Sequence, residues 1–170
     1  MISLQTLLPE EGLGVIVLTN YAPSAPTSAI TYRILDAYLG QPERDWNEVF
    51  VGFRNQGEDR ARQREEQLRA SRIPGTRPSL SLEAYTGTYT EAVSGETEVR
   101  LEDDHLVFDY NPRHLGDLEH WHNDVFRATW RHPIFDMAAR SFVRFELNEK
   151  GEVTGLEVTF YDPIRFDRID

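Results

Sequence analysis

Eight short segments of alternating polarity follow one another between residues 87 and 169, and no helical pattern interrupts them. In the segment GETEVRLE, Thr97, Val99 and Leu101 alternate with charged side chains, which is the two-residue period of a strand with one buried face. Short turn-rich connections such as SG, DD and HND join the segments. An open sheet would leave unpaired edges, so the pattern predicts an antiparallel meander that closes into a small barrel. The predicted strands lie near residues 87–92, 95–102, 105–110, 115–122, 125–131, 141–148, 153–161 and 164–169.

The beginning of the chain predicts a different local structure. Two apolar, β-branched runs, residues 2–8 and 13–19, are joined by the tight connection PEEG, so we expect a β-hairpin. The stretch VIVL in the second run is continuously apolar, which is typical of a strand covered on both faces. A helix capped by Thr27 or Ser28 follows and ends near Leu39, because a glycine and a proline come next.

A second helix is expected after Pro42, with Asp45 near its start. Its first half carries a short apolar stripe at helical spacing, formed by Trp46, Val49, Phe50 and Phe53. Beyond Gly57 the stretch EDRARQREEQLRASR contains only Leu68 as a large aliphatic residue. The pattern therefore predicts that this second half is a solvated helical linker.

The stretch IPGTRPS, residues 73–79, has two prolines and a glycine in seven residues and indicates a domain boundary. We therefore predict an α+β chain with three regions. They are a terminal hairpin and helix at 1–40, a helical linker at 41–78, and an eight-stranded antiparallel β-barrel at 79–170.

Charge and composition exclude several classes of function. The formal net charge is −11, and residues 79–170 carry nine basic against nineteen acidic residues, so the chain is a poor partner for nucleic acids and anionic membranes. The absence of cysteine excludes disulfides and thiolate metal sites. The start MISLQTLLPEEG lacks the basic region of a signal peptide, and no stretch reaches transmembrane length, so we expect a soluble chain. Its localisation stays open.

Two parts of the chain resemble a known arrangement. The stretch LLPEEGLGVIVLTN, followed by a helix that ends in AYLG, resembles the final two strands and C-terminal helix of the β-lactamase-like serine hydrolases, which include the penicillin-binding proteins. The stretch LEAYTGTYTE, with LVFDY and DVFRATW after it, resembles the lipocalin-like domain of the DUF3471 type that is often appended to such hydrolases. The resemblance implies that residues 1–40 are a remnant of a β-lactamase-like sheet and that a hydrolase domain precedes Met1.

The catalytic motifs of those hydrolases do not carry over to this sequence. The family uses a Ser-x-x-Lys turn, a Tyr-x-Asn or Tyr-x-Ser element, and a Lys/His-x-Gly strand. Lys150 is the only lysine, and no serine stands three residues before it. His114 to Gly116 matches the third pattern in letters, but it follows the hairpin that this strand precedes in the family, so we interpret the match as chance. We predict no catalytic residue and no cofactor for this chain.

Histidines suggest one metal-site hypothesis. His120 and His122 are two residues apart on a predicted strand, so both side chains should point to the same face. Imidazoles at this spacing bind a metal ion when a neighbouring strand supplies a third ligand, here His114 or His105. The alternative is that these are solvent-facing or partly packed residues of the barrel.

Aromatic residues suggest one ligand-site hypothesis. Tyr110, Trp130 and Phe126 are candidates to line a cavity, as in larger lipocalin-like barrels. An eight-stranded barrel is just wide enough for its side chains to fill or for one small ligand. We expect a filled core, because an apolar interior is what stability requires in either case.

These patterns together predict an accessory role without chemistry of its own. In this hypothesis residues 79–170 lie near the active-site mouth of a serine hydrolase and modulate substrate access or assembly. The unmet apolar face of residues 1–40 is then expected to pack on the barrel, on its own linker helix or on a second copy. The expected partners are the upstream hydrolase domain or a second copy, with a homodimer if the chain stands alone. The alternatives are a stand-alone barrel that binds a small molecule and a hydrolase with an unrecognised site.

Overall fold

The chain forms two compact units, Met1–Ala70 and Ser71–Asp170. The computed structural model describes residues 2–20, 25–132, 141–160 and 162–169. The first unit contains a two-stranded sheet and two helices, and the second contains a closed antiparallel barrel. This architecture confirms the predicted α+β class with an eight-stranded barrel.

The first unit begins with the predicted hairpin. Strands β1 (Ile2–Leu8) and β2 (Leu13–Thr19) pair antiparallel, with Ile2 opposite Thr19. The connection turns back at Gly12, whose φ of +64° lies in the left-handed region that glycine adopts without strain. Among the described residues neither strand has a second neighbour, so both edges of this small sheet are open.

The two faces of the hairpin differ in their cover. Helix α1 (Ala25–Tyr38) packs on one face, where Val15 is buried. The other face carries Leu7, Ile16 and Leu18, which are 72%, 65% and 71% exposed. The continuously apolar sequence of β2 predicts that both faces of the hairpin are covered. In the described part of the chain only one face is covered, by α1.

Aromatic side chains join α1 to helix α2 (Trp46–Ala70). The ring centroid of Tyr32 lies 4.6 Å from that of Trp46 and 5.6 Å from that of Phe50. The indole Nε1 of Trp46 donates a hydrogen bond to Asp36 Oδ2 at 2.5 Å. Trp46 and Phe50 of the apolar stripe predicted for the start of α2 therefore pack on α1, whereas Phe53 is exposed.

Helix α2 is 25 residues long, and none of its residues is buried. Asp45 caps it by accepting a hydrogen bond from a first-turn backbone N–H at 2.9 Å, in agreement with the predicted start. Ion pairs between residues four apart, Arg54 with Glu58 and Glu65 with Arg69, support the polar half. Local charge pairing thus stabilises a helical stretch that lacks an apolar face.

The second unit is a meander in which each strand pairs antiparallel with the next. The last strand pairs back onto the first, with Arg168 opposite Tyr89, and this pairing closes the barrel. Every predicted strand is present, because one-sided burial leaves a clear alternation in the sequence. The strands are β3 (Gly87–Glu91), β4 (Gly95–Glu102), β5 (His105–Asn111), β6 (His114–His122), β7 (Val125–Trp130), β8 (Phe142–Leu147), β9 (Val153–Thr159) and β10 (Pro163–Arg168).

The segment that leads into the barrel is tied to the hairpin of β6 and β7. Arg72 donates hydrogen bonds to the carbonyl oxygen of Trp121 at 2.6 Å and to that of the preceding residue at 2.9 Å. Its guanidinium also lies 5.1 Å from the centroid of the Trp121 ring. Ser79 donates from its backbone N–H and its hydroxyl to the carboxylate of Asp124, at 2.8 and 2.7 Å. The compact barrel unit therefore begins at Ser71 and includes residues that precede position 79.

Replacement of Arg72 tests this attachment. We expect Arg72→Ala to lower the free energy of unfolding of the barrel unit by about 1–2 kcal/mol, because two hydrogen bonds from a charged group and a cation–π contact are lost. Urea unfolding followed by tryptophan fluorescence measures the change. Arg77→Ala, at an exposed position of the same segment, is the matched control, and an equal loss in both variants would contradict a specific role for Arg72.

Candidate functional site

Aromatic rings in mutual contact fill one part of the barrel interior. This part lies next to residues 71–80, the leading segment, which precedes the first barrel strand. The Tyr85 ring centroid lies 4.7 Å from Phe145 and 5.6 Å from Phe126, and the latter two are 5.6 Å apart. Tyr89 packs on Phe145 at 6.2 Å. All four side chains are buried. This first cluster, Tyr85, Tyr89, Phe126 and Phe145, is a packed core in the sense expected for an eight-stranded barrel.

The hydroxyl of Tyr85 also joins the first cluster to the leading segment through hydrogen bonds. It donates to Asp124 Oδ1 at 2.5 Å and accepts from the backbone N–H of Leu80 at 3.1 Å. Burial raises the pKa of Tyr85 to about 12, and the hydrogen bond to a carboxylate contributes to the shift. Burial also acts to raise the pKa of Asp124, but hydrogen bonds from Tyr85 and Ser79 outweigh it and hold that pKa below its usual value. The phenol is therefore neutral and the carboxylate charged at pH 7.

A second aromatic cluster lies further along β7, four residues or about 13 Å from Phe126. Trp130 stacks on Phe160 with ring centroids 5.5 Å apart. His114 lies edge-on to both, at 5.8 Å from Trp130 and 5.2 Å from Phe160. Tyr110 is 6.0 Å from Phe160 and completes this second cluster, Tyr110, His114, Trp130 and Phe160.

His114 is the ionisable member of the second cluster. Its Nδ1 lies 3.2 Å from Asn111 Oδ1. Burial lowers the pKa of His114, and the neighbouring charges of Arg113 and His132 lower it further. The imidazole is therefore neutral at pH 7, which allows it to pack among aromatic rings without the cost of a desolvated charge.

The three residues predicted to line a ligand cavity fall into different clusters. Tyr110 and Trp130 both pack on Phe160, whereas Phe126 packs with Tyr85 in the first cluster. The hydroxyl of Tyr110 donates to a backbone carbonyl of the β3–β4 turn at 2.7 Å. The rings thus contact one another in the way a filled core requires, and ligand binding by these residues stays a prediction.

Gly116 is a packing position that the sequence did not reveal. A Cβ atom built at this glycine would lie 2.8 Å from Cε3 of Trp130. The indole Nε1 of Trp130 donates to Ser141 Oγ at 3.0 Å, which satisfies its buried N–H. The glycine of the HLG stretch thus has a packing role in the barrel, because only glycine lets the Trp130 indole lie against β6.

Backbone groups engage the two histidines of the predicted metal site. Nε2 of His120 lies 2.9 Å from the carbonyl oxygen of Asn123, and Nδ1 of His122 accepts from the backbone N–H of Ile73 at 3.4 Å. The pairing of β6 with β7 shifts register between these histidines, so the simple two-residue period does not hold across them. In the described ranges no group of three or more His, Asp or Glu side chains is arranged to hold a metal ion. A metal at His120 and His122 stays a prediction.

His105 belongs instead to an ion-pair network on the outer face of β4 to β7. Arg131 Nη2 lies 2.6 Å from Glu102 Oε2 and 2.7 Å from Asp117 Oδ1. Arg100 pairs with Glu102 at 2.7 Å, and His105 Nε2 lies 3.0 Å from Asp117 Oδ1. The hydrogen bond to Asp117 raises the pKa of His105. Sequence reasoning missed this network, because its partners are up to 29 residues apart and meet only through strand pairing.

These features define a class of protein: a closed antiparallel β-barrel with an aromatic interior, preceded by a unit of one hairpin and two helices. The sequence model of a family described as a domain of unknown function (DUF3471) matches residues 71–168, and the chain belongs to this family. The match confirms the resemblance of the barrel sequence to that family. A search of the curated proteins found no match, and a search of the solved structures found none either. Neither described helix combines the length and the apolar character needed to cross a membrane.

A substitution at Gly116 tests the packing of the second cluster. We expect Gly116→Ala to lower the free energy of unfolding by about 1–3 kcal/mol, because the new methyl group would displace the Trp130 indole from its place. Urea unfolding and the tryptophan emission spectrum measure the effect. Gly57→Ala, in the exposed helix α2 where a Cβ meets nothing within 4 Å, is the control and should not destabilise the protein. A neutral effect of Gly116→Ala would contradict the close packing.

The raised pKa of Tyr85 predicts a loss of stability in alkali. A phenol whose pKa is higher in the folded state contributes stability below its unfolded pKa of about 10, and this contribution disappears as the pH rises to about 12. Between these pH values we expect the wild type to lose about 2–3 kcal/mol that Tyr85→Phe does not lose. Urea unfolding curves at pH 9 to 12 measure the difference. Tyr38→Phe, at an exposed tyrosine, should keep the alkaline loss, and a loss that persists in Tyr85→Phe would contradict the assignment.

Proposed function

We propose that the chain is a non-catalytic accessory module of a β-lactamase-like serine hydrolase. In this proposal it associates with the catalytic domain, on the same polypeptide or a separate one, and modulates substrate access or assembly. The observation that carries the proposal is the exposed face of the hairpin, where Leu7, Ile16 and Leu18 have no cover from the described residues. This face is the part of the molecule that resembles a strand pair from the interior of such a hydrolase.

The composition of the exposed hairpin face suits a partner with an apolar surface. In the register of β1 and β2, Leu18 lies opposite Ser3 and Ile16 lies opposite Gln5, so the face contains no charged residue. Aliphatic side chains that are more than half exposed leave apolar area in water, and burial against a partner would recover about 25 cal/mol per Å². The two open edges of the sheet offer backbone N–H and C=O groups to a further strand.

The distribution of charge favours association through the first unit. Its 70 residues carry seven basic and ten acidic residues, a net charge of −3, whereas residues 71–170 carry eleven basic and nineteen acidic residues, a net charge of −8. An acidic surface repels acidic partners and remains hydrated. The less acidic first unit therefore supports docking better than the barrel does.

The packing of the barrel interior weighs against the alternative function of a small-molecule carrier. Its interior is occupied by its own aromatic rings, from Tyr85 in the first cluster to Trp130 in the second. A small-molecule carrier, the alternative function, would need these rings to part. A barrel of this kind would act through its outer surface and its loops.

The test uses the tagged protein produced from its native locus. A fluorescent β-lactam and a fluorophosphonate label the nucleophilic serine of hydrolases by forming a covalent bond to it. We expect a labelled serine hydrolase in the purified material, either on a polypeptide heavier than the 19.7-kDa chain plus its tag or as a separate chain that remains bound. Absence of any labelled hydrolase would overturn the proposal, and a homodimer formed through the hairpin without a hydrolase would replace it with self-association.

Charged substitutions on the hairpin locate the contact. Ile16→Lys with Leu18→Lys should release a separate hydrolase chain, or lower the melting temperature of a fused one, because lysine side chains would be forced into an apolar interface. Val93→Lys is the matched control, since Val93 is 93% exposed on the barrel unit. Equal effects of the hairpin and control substitutions would count against the hairpin as the contact.

A further inference from the structure

A groove in the first unit lies between α1 and the start of α2. Its volume is about 690 Å³, within the range of small-molecule sites. The α1 wall is mainly apolar and is formed by Pro26, Ala29, Ile30 and Ile34. Ile30 and Ile34 stand one helical turn apart and are 49% and 41% exposed. These side chains offer an apolar surface along the helix, with Arg33 beside them.

An immobilised aromatic ring forms part of the opposite wall. Trp46 is held by its hydrogen bond to Asp36 at 2.5 Å and by ring contact with Tyr32 at 4.6 Å. The guanidinium of Arg44 lies 4.5 Å from the centroid of the Trp46 ring. A ring already fixed in one position loses little conformational entropy when a ligand packs on it.

The rim of the groove combines two guanidinium groups with one displaceable carboxylate. Arg33 pairs with Glu43 at 2.7 Å, and their side chains are 51% and 80% exposed. Ion pairs this exposed contribute little to stability, so a ligand carboxylate can replace Glu43 at small cost. Arg44 is the second cation, and Asp45 is already engaged as the cap of α2. The charged part of the groove lining is thus suited to a single negative group.

We propose that this groove binds an amphiphilic carboxylate, with its apolar chain along Ile30 and Ile34 and its carboxylate at Arg33 and Arg44. Guanidinium groups bind carboxylates through paired, charge-assisted hydrogen bonds, and the apolar wall accepts an alkyl or aryl body. The inference does not rest on the proposed accessory function, because it uses only contacts within the first unit.

Isothermal titration calorimetry of the full chain with sodium decanoate tests the inference. We expect saturable binding of one decanoate per chain below its micelle concentration, and at least about tenfold weaker binding of 1-decanol, which lacks the charge. The double variant Arg33→Gln with Arg44→Gln should bind decanoate at least about tenfold more weakly. Arg69→Gln, at the far end of α2, is the matched control and should bind as the wild type does.

Several results would overturn this assignment. No saturable decanoate binding would do so, and so would equal affinity for decanol, a comparison that needs no variant. Equal binding by the double variant, with its helix content verified by circular dichroism, would remove the role of the two arginines. Sedimentation in the same buffers tests whether a second copy of the chain occupies the groove instead. If the protein does not bind decanoate and forms a dimer that Ile34→Asp dissociates, the groove is a contact between two copies.

Discussion

Closure of an eight-stranded sheet around its own aromatic side chains is the constraint on which the barrel depends. The interior of such a barrel is only as wide as the side chains that fill it, so the two clusters and the strand closure stabilise each other. The closing pair, β10 with β3, is short, and Arg168 reinforces it by donating to the carbonyl oxygens of Ala84 and Thr86 at 2.9 and 2.8 Å. Tyr85 adds the link from this interior to the leading segment through Asp124.

The outer surface of the barrel is strongly acidic. Nineteen acidic residues on one hundred positions would repel one another, and the network around Arg131 reduces this repulsion on β4 to β7. Exposed pairs of this kind contribute modestly to stability, but they organise carboxylates that would otherwise be close to one another. The result is a hydrated, acidic surface on the barrel unit.

The first unit is a two-stranded sheet with two helices. Its hairpin is covered by α1 on one side, and its outer side and the groove beside Trp46 expose aliphatic groups. A two-stranded sheet is marginal by itself in water, so cover from another domain or another molecule would add stability. The hairpin face and the groove differ in chemistry, since the face carries no charge and the groove has arginines at its rim. They are therefore suited to different partners.

Local sequence patterns predicted the strands closely: GETEVRLE is the strand Gly95–Glu102, and both runs of the hairpin keep their predicted bounds. Alternation of side chains along a strand is a local property, and so is the capping of α2 by Asp45. No local pattern indicates that Phe126 and Trp130 belong to different aromatic clusters, or that Arg131 forms an ion pair with Glu102. Those contacts depend on register and on the shift beside His120, which exist only once strands pair. The sequence by itself determined which segments are strands and helices and where charge accumulates, whereas the tertiary structure decided which side chains meet, because contacts across a barrel join residues far apart in the chain.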